Sequence, residues 1–408
     1  MKRIVVNGGK GLGGEITVSG SKNAALPIIF ACILTNGVSE IHNLPEIGDV
    51  DVALKLIRSF GAIVDRRDGI TYIDTRCLSY VDPDSCLVRK IRASTYLIGS
   101  CLSRFGRCPI MSFGGCNFSL RPIDMHIAAC LSLGARLEDE TILCDRLHGS
   151  VIEFNKASVG ATVNAILLAA SADGETVIRG CAVEPHIDSL ITFLNSCGAS
   201  IVRQGREMYI IGRELHGGKI RVIGDMIEAG SYLALSLMAG GGISIINSPV
   251  CDMSATFDAF DSLGATINCS EDVLCGAVSE GRYFSVTAAP YPGFPTDLQP
   301  IVAPLMAQNR GGEITDTVWQ TRFGYLDALS SFGIKSQVQG NRAEIMRSRI
   351  TNGITVAPDL RGGMSALMCA LTAKGQSKIH SAEVILRGYE KLEEKLCALG
   401  AEIIIENI

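Results

Sequence analysis

Five arginines and a lysine stand where a helix would ordinarily prefer an acid or a neutral cap. Lys22, Arg92 and Arg361 lie just before, or at, the start of stretches that read as apolar helices. A cation there opposes the helix dipole. Arg121, Arg322 and Arg387 form a second set, each 11 to 13 residues ahead of a glycine that closes an amphipathic stretch. Helix N-termini and guanidinium forks both suit phosphate and carboxylate, so the pattern predicts an anion site. The alternative, in which each cation serves a neighbouring carboxylate or points to water, suits one isolated arginine better than six cations at equivalent places. Ser158 and Asp297 occupy positions like those of the first set. Asp297 can take a proton as a general base, or simply cap the helix that follows. Cys116 follows Gly114-Gly115, a mobile-turn signature, and lies five residues before Arg121. A thiol near a cation gains thiolate character, whereas the other fourteen cysteines read as small buried hydrophobes.

The elements that must position these groups come from an internal repeat. A Gly-Ala or Gly-Ile step follows an amphipathic helix at Gly61, Gly134, Gly198, Gly264, Gly333 and Gly400, at intervals of 64 to 73 residues. Each unit reads as an apolar helix, a short strand, a turn, an amphipathic helix stopped by glycine, and another strand. In the first unit Val50, Leu54, Ile57 and Phe60 share one helical face, opposite Asp51, Lys55 and Arg58. The stretches Ala161–Ala172 and Met364–Ala373 carry no charge and must be enclosed. Six such units predict an α/β protein of two domains with three units each, the boundary falling near Gly224–Ile227. A cleft between domains is the usual place for a polar small-molecule site.

Composition excludes several classes. The chain has 408 residues, 47% hydrophobic and 19% charged, with net charge −5, mean hydropathy +0.28 and pI near 5.8. Nothing basic enough for nucleic acid or a membrane surface is present. Scattered cysteines without CxxC pairs predict neither disulfides nor a metal site. The uncharged run Ala229–Ile246 approaches membrane-spanning length, but Gly240, Gly241 and Gly242 should split it into a helix, a turn and a strand. The start has too short an apolar stretch for a signal peptide, which predicts a cytoplasmic protein. Gly9-Lys10-Gly11-Leu12-Gly13-Gly14 formally meets GxGxxG, yet the strand-like Glu15-Ile16-Thr17-Val18 follows it. A dinucleotide fingerprint needs a helix there, so Asn7–Gly14 reads as a hairpin turn and no cofactor is expected.

Ser19-Gly20-Ser21-Lys22-Asn23-Ala24-Ala25 resembles the N-terminal signature of the UDP-N-acetylglucosamine 1-carboxyvinyltransferase family, a group of enolpyruvyl transferases. Further segments are similar in family order: Arg92-Ala93-Ser94, Gly114-Gly115-Cys116, Arg121-Pro122-Ile123-Asp124-Met125-His126, Ser158-Val159-Gly160-Ala161-Thr162, Phe294-Pro295-Thr296-Asp297, Arg322-Phe323, Asp359-Leu360-Arg361 and Arg387-Gly388-Tyr389-Glu390. The resemblance implies a two-domain inverse α/β barrel, with residues 22–225 as one domain carrying a catalytic loop at 113–121. Residues 1–21 and 226–408 would form the other, with the active site in the cleft. It implies transfer of enolpyruvyl from phosphoenolpyruvate to UDP-N-acetylglucosamine, these two small molecules being the expected partners.

The same resemblance implies roles for the residues. Cys116 would protonate C3 of phosphoenolpyruvate, and would be the thiol alkylated by fosfomycin. Asp297 would take the sugar hydroxyl proton. Lys22, Arg92, Arg121, Arg322 and Arg387 would hold phosphoenolpyruvate, with Lys22 and Arg387 also counted as catalytic. Asp359 and Arg361 would form a coupled pair near the intermediate. Asn23, Arg92, Arg121, Ser158, Val159, Gly160, Asp297 and Val318 would bind the UDP-sugar. Phe113 departs from the proline usual in the family, and Asn117-Phe118-Ser119-Leu120 from its small, glycine-containing stretch. Two rival readings share much of this pattern: an enolpyruvylshikimate-phosphate synthase-like enzyme, and a non-catalytic UDP-sugar-binding regulator.

Overall fold

Helices that carry almost no charge have to be enclosed, and that requirement organises the chain. The computed structural model describes residues 2–114 and 122–408. The chain separates into two compact units, Gly20–Ile223 and Met1–Ser19 with Gly224–Ile408. In the first, inner and outer helices alternate: α1 (Lys22–Ala31), α2 (Gly48–Ser59), α3 (Leu97–Phe105), α4 (Asp124–Ser132), α5 (Val159–Ala169) and α6 (Pro185–Ser196). The second repeats the alternation with α7 (Met226–Ala239), α8 (Ser254–Leu263), α9 (Gln299–Gln308), α10 (Tyr325–Ser330), α11 (Leu360–Thr372) and α12 (Leu392–Ala398).

Odd-numbered helices lie inside. Every residue from Ala161 to Ala169 in α5, and from Leu360 to Leu371 in α11, is buried. In the second unit α7, α9 and α11 pack on one another. The even-numbered helices bury one stripe only, as Val50, Ala53, Leu54 and Ile57 do in α2. Each ends at one of the six repeat glycines, whose φ values run from 80° to 102°. A left-handed residue just past a helix satisfies its last carbonyls, and glycine adopts that conformation without Cβ strain.

Sheets form the wall. Glu175–Arg179 pairs antiparallel with Glu207–Ile211, which pairs antiparallel with Ser200–Gln204, while Val151–Glu153 runs parallel along the free edge of Glu175–Arg179. Five four-stranded sheets share this design. A three-stranded sheet, made of Arg107–Pro109, Thr141–Leu143 and Arg136–Glu138, has no parallel edge strand among the described residues. Helices inside and sheets outside make each unit an inverse α/β barrel.

Two strands are exchanged relative to a simple repeat. Gly14–Thr17 precedes α1, yet it runs parallel to Ile243–Ile246. Lys219–Arg221 precedes α7, yet it runs parallel to Val38–His42. The strand Lys2–Gly8 lies between Gly375–His380 and Ile403–Asn407, antiparallel to both. Strands 2–8 and 14–17 therefore belong to different sheets, and the hairpin expected at Asn7–Gly14 is corrected. Local sequence suggested a turn, but each strand has its partners hundreds of residues away. The run Ala229–Ile246 divides into α7, three glycines with φ of 92°, 90° and 97°, and a strand. Among the described residues no helix is long and apolar enough to cross a membrane.

The glycine stops can be tested singly. At Gly264, φ is +97° and an added Cβ would sit 2.9 Å from the Glu280 carbonyl oxygen. Gly264→Ala should lower stability by about 1–2 kcal/mol, the cost of a left-handed non-glycine residue, before any clash is counted. Gly11, which has open space around its Cα, should tolerate Ala within about 0.5 kcal/mol. Urea midpoints of the two variants check this, and equal midpoints would refute it.

Candidate active site

A carboxylate in a largely apolar unit needs cations beside it, and Asp297 has two. Arg322 Nη1 donates to Asp297 Oδ1 at 2.8 Å, and Arg361 Nε donates to Oδ2 at 3.3 Å. The arginine side chains are 4% and 2% exposed, whereas that of Asp297 is 30% exposed. The carboxylate thus faces outward from two sealed cations. Helix α9 begins at Gln299 with Leu298 at its cap position and no side-chain cap. The helix-cap expectation for Asp297 is therefore corrected: its oxygens go to the guanidiniums.

The surroundings fix the arginines. Arg322 also donates to the Thr296 carbonyl at 3.1 Å, and Gln299 Nε2 donates to the Arg322 carbonyl at 3.1 Å. Thr296 Oγ1 donates to Asp316 Oδ2, while Asp316 Oδ1 accepts the Val318 and Trp319 N–H groups. Val318 is thereby placed through its backbone. Asp359 caps α11, accepting the N–H groups of Arg361 and Gly362 at 2.9 and 3.1 Å. The two members of the expected Asp359 and Arg361 pair are joined through the backbone amide. The Arg361 guanidinium lies over the Tyr389 ring, 5.2 Å from its centroid, and Tyr389 hydroxyl bonds Ser231 Oγ at 2.8 Å. Nη1 and Nη2 of Arg361 are buried without a hydrogen-bond partner among the described residues. Arg387 is half-buried at the end of the short helical turn Glu383–Leu386.

The other predicted residues belong to the unit Gly20–Ile223. Ser21 caps α1, so Lys22 is its first residue, and Lys22 Nζ stands 3.5 Å from Asp49 Oδ2 in the first turn of α2. Asn23 is half-buried beside it in sequence. Arg92 opens the 3-10 turn Arg92–Tyr96 that leads into α3. Ser158 caps α5 by accepting the Ala161 N–H at 3.3 Å, which sets Val159 and Gly160 at the helix start. For Lys22, Arg322 and Arg361, then, a protein carboxylate supplies a compensating charge, the arrangement expected of an isolated cation. Cys116 and Arg121 lie outside the described residues. Gly114, the last described residue before them, donates its N–H to the Val88 carbonyl at 3.2 Å.

Sequence reasoning passed over three residues that the fold ties to these groups. Asp49 looks like an ordinary acid in a helix first turn. Asn164 is the one amide in the apolar α5, and that contrast was a usable signal. His126 is 5% exposed, and its ring would lie 2.9 Å from a Cβ at Gly160. Burial, and then the positive charge of Arg92, push its pKa down to about 4.

The EPSP synthase family pattern (3-phosphoshikimate 1-carboxyvinyltransferase) matches residues 6–396. UDP-N-acetylglucosamine 1-carboxyvinyltransferase 2 of Streptococcus thermophilus is 38% identical over 99% of both chains. UDP-N-acetylglucosamine 1-carboxyvinyltransferase of Chlorobium luteolum is 37% identical over 99% of this chain and 98% of its own. Among solved structures, the enolpyruvyl transferase NikO from Streptomyces tendae superposes with TM-score 0.90 at 23% identity, covering 100% of this chain and 99% of that one. EPSP synthase from Acinetobacter baumannii gives 0.76 at 17% identity over 100% of both. The structural likenesses establish the fold.

The depressed His126 carries a pH signature. The unfolded chain takes up a proton near pH 6.5 that the folded chain refuses until about pH 4, so stability contributed by this group is present above 6.5 and falls through that window. The full loss is on the order of 3 kcal/mol. Urea midpoints between pH 7 and 4.5 should fall less steeply in His126→Gln than in the parent. Parallel pH dependences would contradict the assignment.

Proposed function

We propose how the side chains divide the chemistry, on the premise that this chain belongs to the UDP-N-acetylglucosamine 1-carboxyvinyltransferase family of enolpyruvyl transferases. The chain transfers the enolpyruvyl group of phosphoenolpyruvate to the 3′-hydroxyl of UDP-N-acetylglucosamine and releases phosphate, the first committed step of peptidoglycan synthesis. The hydroxyl oxygen bonds to C2 while C3 gains a proton. Expulsion of phosphate from the tetrahedral adduct, with loss of a C3 proton, restores the double bond.

Asp297 is the base for the sugar hydroxyl. The observation that carries this role is its setting, a partly exposed carboxylate fixed from behind by two buried guanidiniums. Once the carboxylate is protonated, its claim on Arg322 and Arg361 weakens, and the unpartnered Nη atoms of Arg361 can serve anionic oxygens of the adduct. Lys22, Arg92, Arg121 and Arg387 supply further positive charge for the phosphate and carboxylate groups. Cys116 is the proton donor to C3. Asn23, Ser158, Val159, Gly160 and Val318 hold the nucleotide sugar, with the first-turn amides of α5 suited to its phosphates. A cytoplasmic location accompanies this reading.

The shikimate acceptor remains a distinct second reading, because the matching family pattern is that of EPSP synthase. Purified protein should release phosphate from phosphoenolpyruvate with UDP-N-acetylglucosamine and not with shikimate 3-phosphate, and the opposite preference would overturn the assignment. Asp297→Asn should retain binding of both substrates, measured by calorimetry, while turnover drops at least about a hundredfold. Turnover near the parent value would reduce Asp297 to an anchor for its arginines.

A further inference from the structure

The apolar helix α5 contains a single amide, and its orientation is fixed by chemistry. Asn164 is fully buried. Its Oδ1 accepts the Gly99 N–H at 2.6 Å, a first-turn donor of α3 with no partner inside its own helix. A backbone N–H can only donate, so the amide oxygen must face Gly99 and the NH2 must face away. The NH2 reaches His126 Nδ1 at 2.7 Å, the Thr95 carbonyl at 3.1 Å and, more distantly, the Gly160 carbonyl at 3.3 Å; an amide nitrogen has no lone pair to offer a ring N–H. Nδ1 must therefore accept, which leaves the ring proton on Nε2.

Close approach makes this geometry rigid. A Cβ at Gly99 would sit 2.8 Å from Asn164 Oδ1, and a Cβ at Gly160 would sit 2.9 Å from His126 Cε1 and 3.1 Å from Nε2. Both glycines are bare where the network passes. The imidazole edge thus lies against the start of α5, where the helix dipole and free amides favour an anion. Nε2 has no partner among the described residues. Arg92 and Asp124 are the charged groups that face the ring, Arg92 disfavouring a positive imidazolium and Asp124 opposing it.

We propose that Asn164 is a positioning residue, holding His126 as a neutral Nε2–H donor for a phosphate oxygen of the nucleotide sugar beside Ser158 and Gly160. The proposal rests on the enolpyruvyl-transfer reading for the ligand, but the tautomer follows from the network alone. A neutral donor adds direction without adding charge to a site already rich in cations. It also keeps this contact constant across neutral pH, because the amide would have to turn before Nδ1 could carry a proton.

Nitrogen-15 NMR of histidine-labelled protein tests both parts, with the His126 signal identified by its loss in His126→Gln. In the parent, Nδ1 should show the shift of an unprotonated nitrogen from about pH 8 to about pH 5.5, and UDP-N-acetylglucosamine should displace the Nε2–H resonance. Asn164→Asp turns the donor into an acceptor, so the ring should become protonated at Nδ1 and titrate at higher pH. KM for UDP-N-acetylglucosamine should then change by about tenfold or more, the scale of one charge-assisted hydrogen bond, while KM for phosphoenolpyruvate changes little. A parent ring protonated at Nδ1, or titrating near pH 6.5, would overturn the tautomer without any variant having to fold. UDP-N-acetylglucosamine that binds, yet leaves the Nε2–H resonance unmoved, would overturn the donor role while the transferase reading stands. Absence of UDP-N-acetylglucosamine binding with phosphate still released to another acceptor would overturn the transferase reading and the ligand named here together.

Discussion

The exclusion of charge from the inner helices is the constraint on which everything else depends. A buried polar group left unpaired costs about 1–3 kcal/mol, so the inner helices carry few such groups and spend them on specific joints. Ser100 Oγ donates to the Phe30 carbonyl at 2.9 Å, joining α3 to α1, and Ser365 Oγ donates to the Pro300 carbonyl at 2.6 Å, joining α11 to α9. Charged groups are pushed to the helix ends, where Lys22, Asp359 and Arg361 lie. Charge at helix starts is thus a by-product of how the core is filled. Glu228, in the first turn of α7, obeys the same rule: Lys395 from α12 and the Ser19 N–H meet its two oxygens. Burial still pushes its pKa up, against the pull of Lys395.

Asp297 shows how charge is handled when it cannot be avoided. One carboxylate serves two sealed guanidiniums. The face of Tyr389 meets Arg361 in part, through the attraction of a cation for an aromatic ring.

Much of this was legible in the sequence, for identifiable reasons. The six glycine steps stand out because a left-handed helix stop leaves few residues a place. The inner helices stand out because a dozen residues without charge can only be enclosed. What the sequence hid depends on pairing at a distance. The partnership of Gly14–Thr17 with Ile243–Ile246 joins strands whose local patterns are unremarked, and a turn was the natural reading between residues 7 and 14. Asp297 stands close enough to a helix start to pass for a cap until Arg322 and Arg361 fold onto it. Asp49 likewise reads as a helix-dipole acid until Lys22 is found beside it. Cys116 is read from motif alone.

The placement of the first strand has a consequence for the order in which the chain can be completed. Lys2–Gly8 is made long before its flanking strands, Gly375–His380 and Ile403–Asn407. Gly20–Ile223 is continuous in the chain and contains every strand of its own sheets. A ribosome therefore delivers one barrel whole while residues 2–8 wait, their edges unpaired, for residues 375–407 to emerge. Unpaired apolar strands are sites of intermolecular pairing. The interval between synthesis of residues 2–8 and of their partners is thus a period in which a newly made chain needs a chaperone or a short translation time.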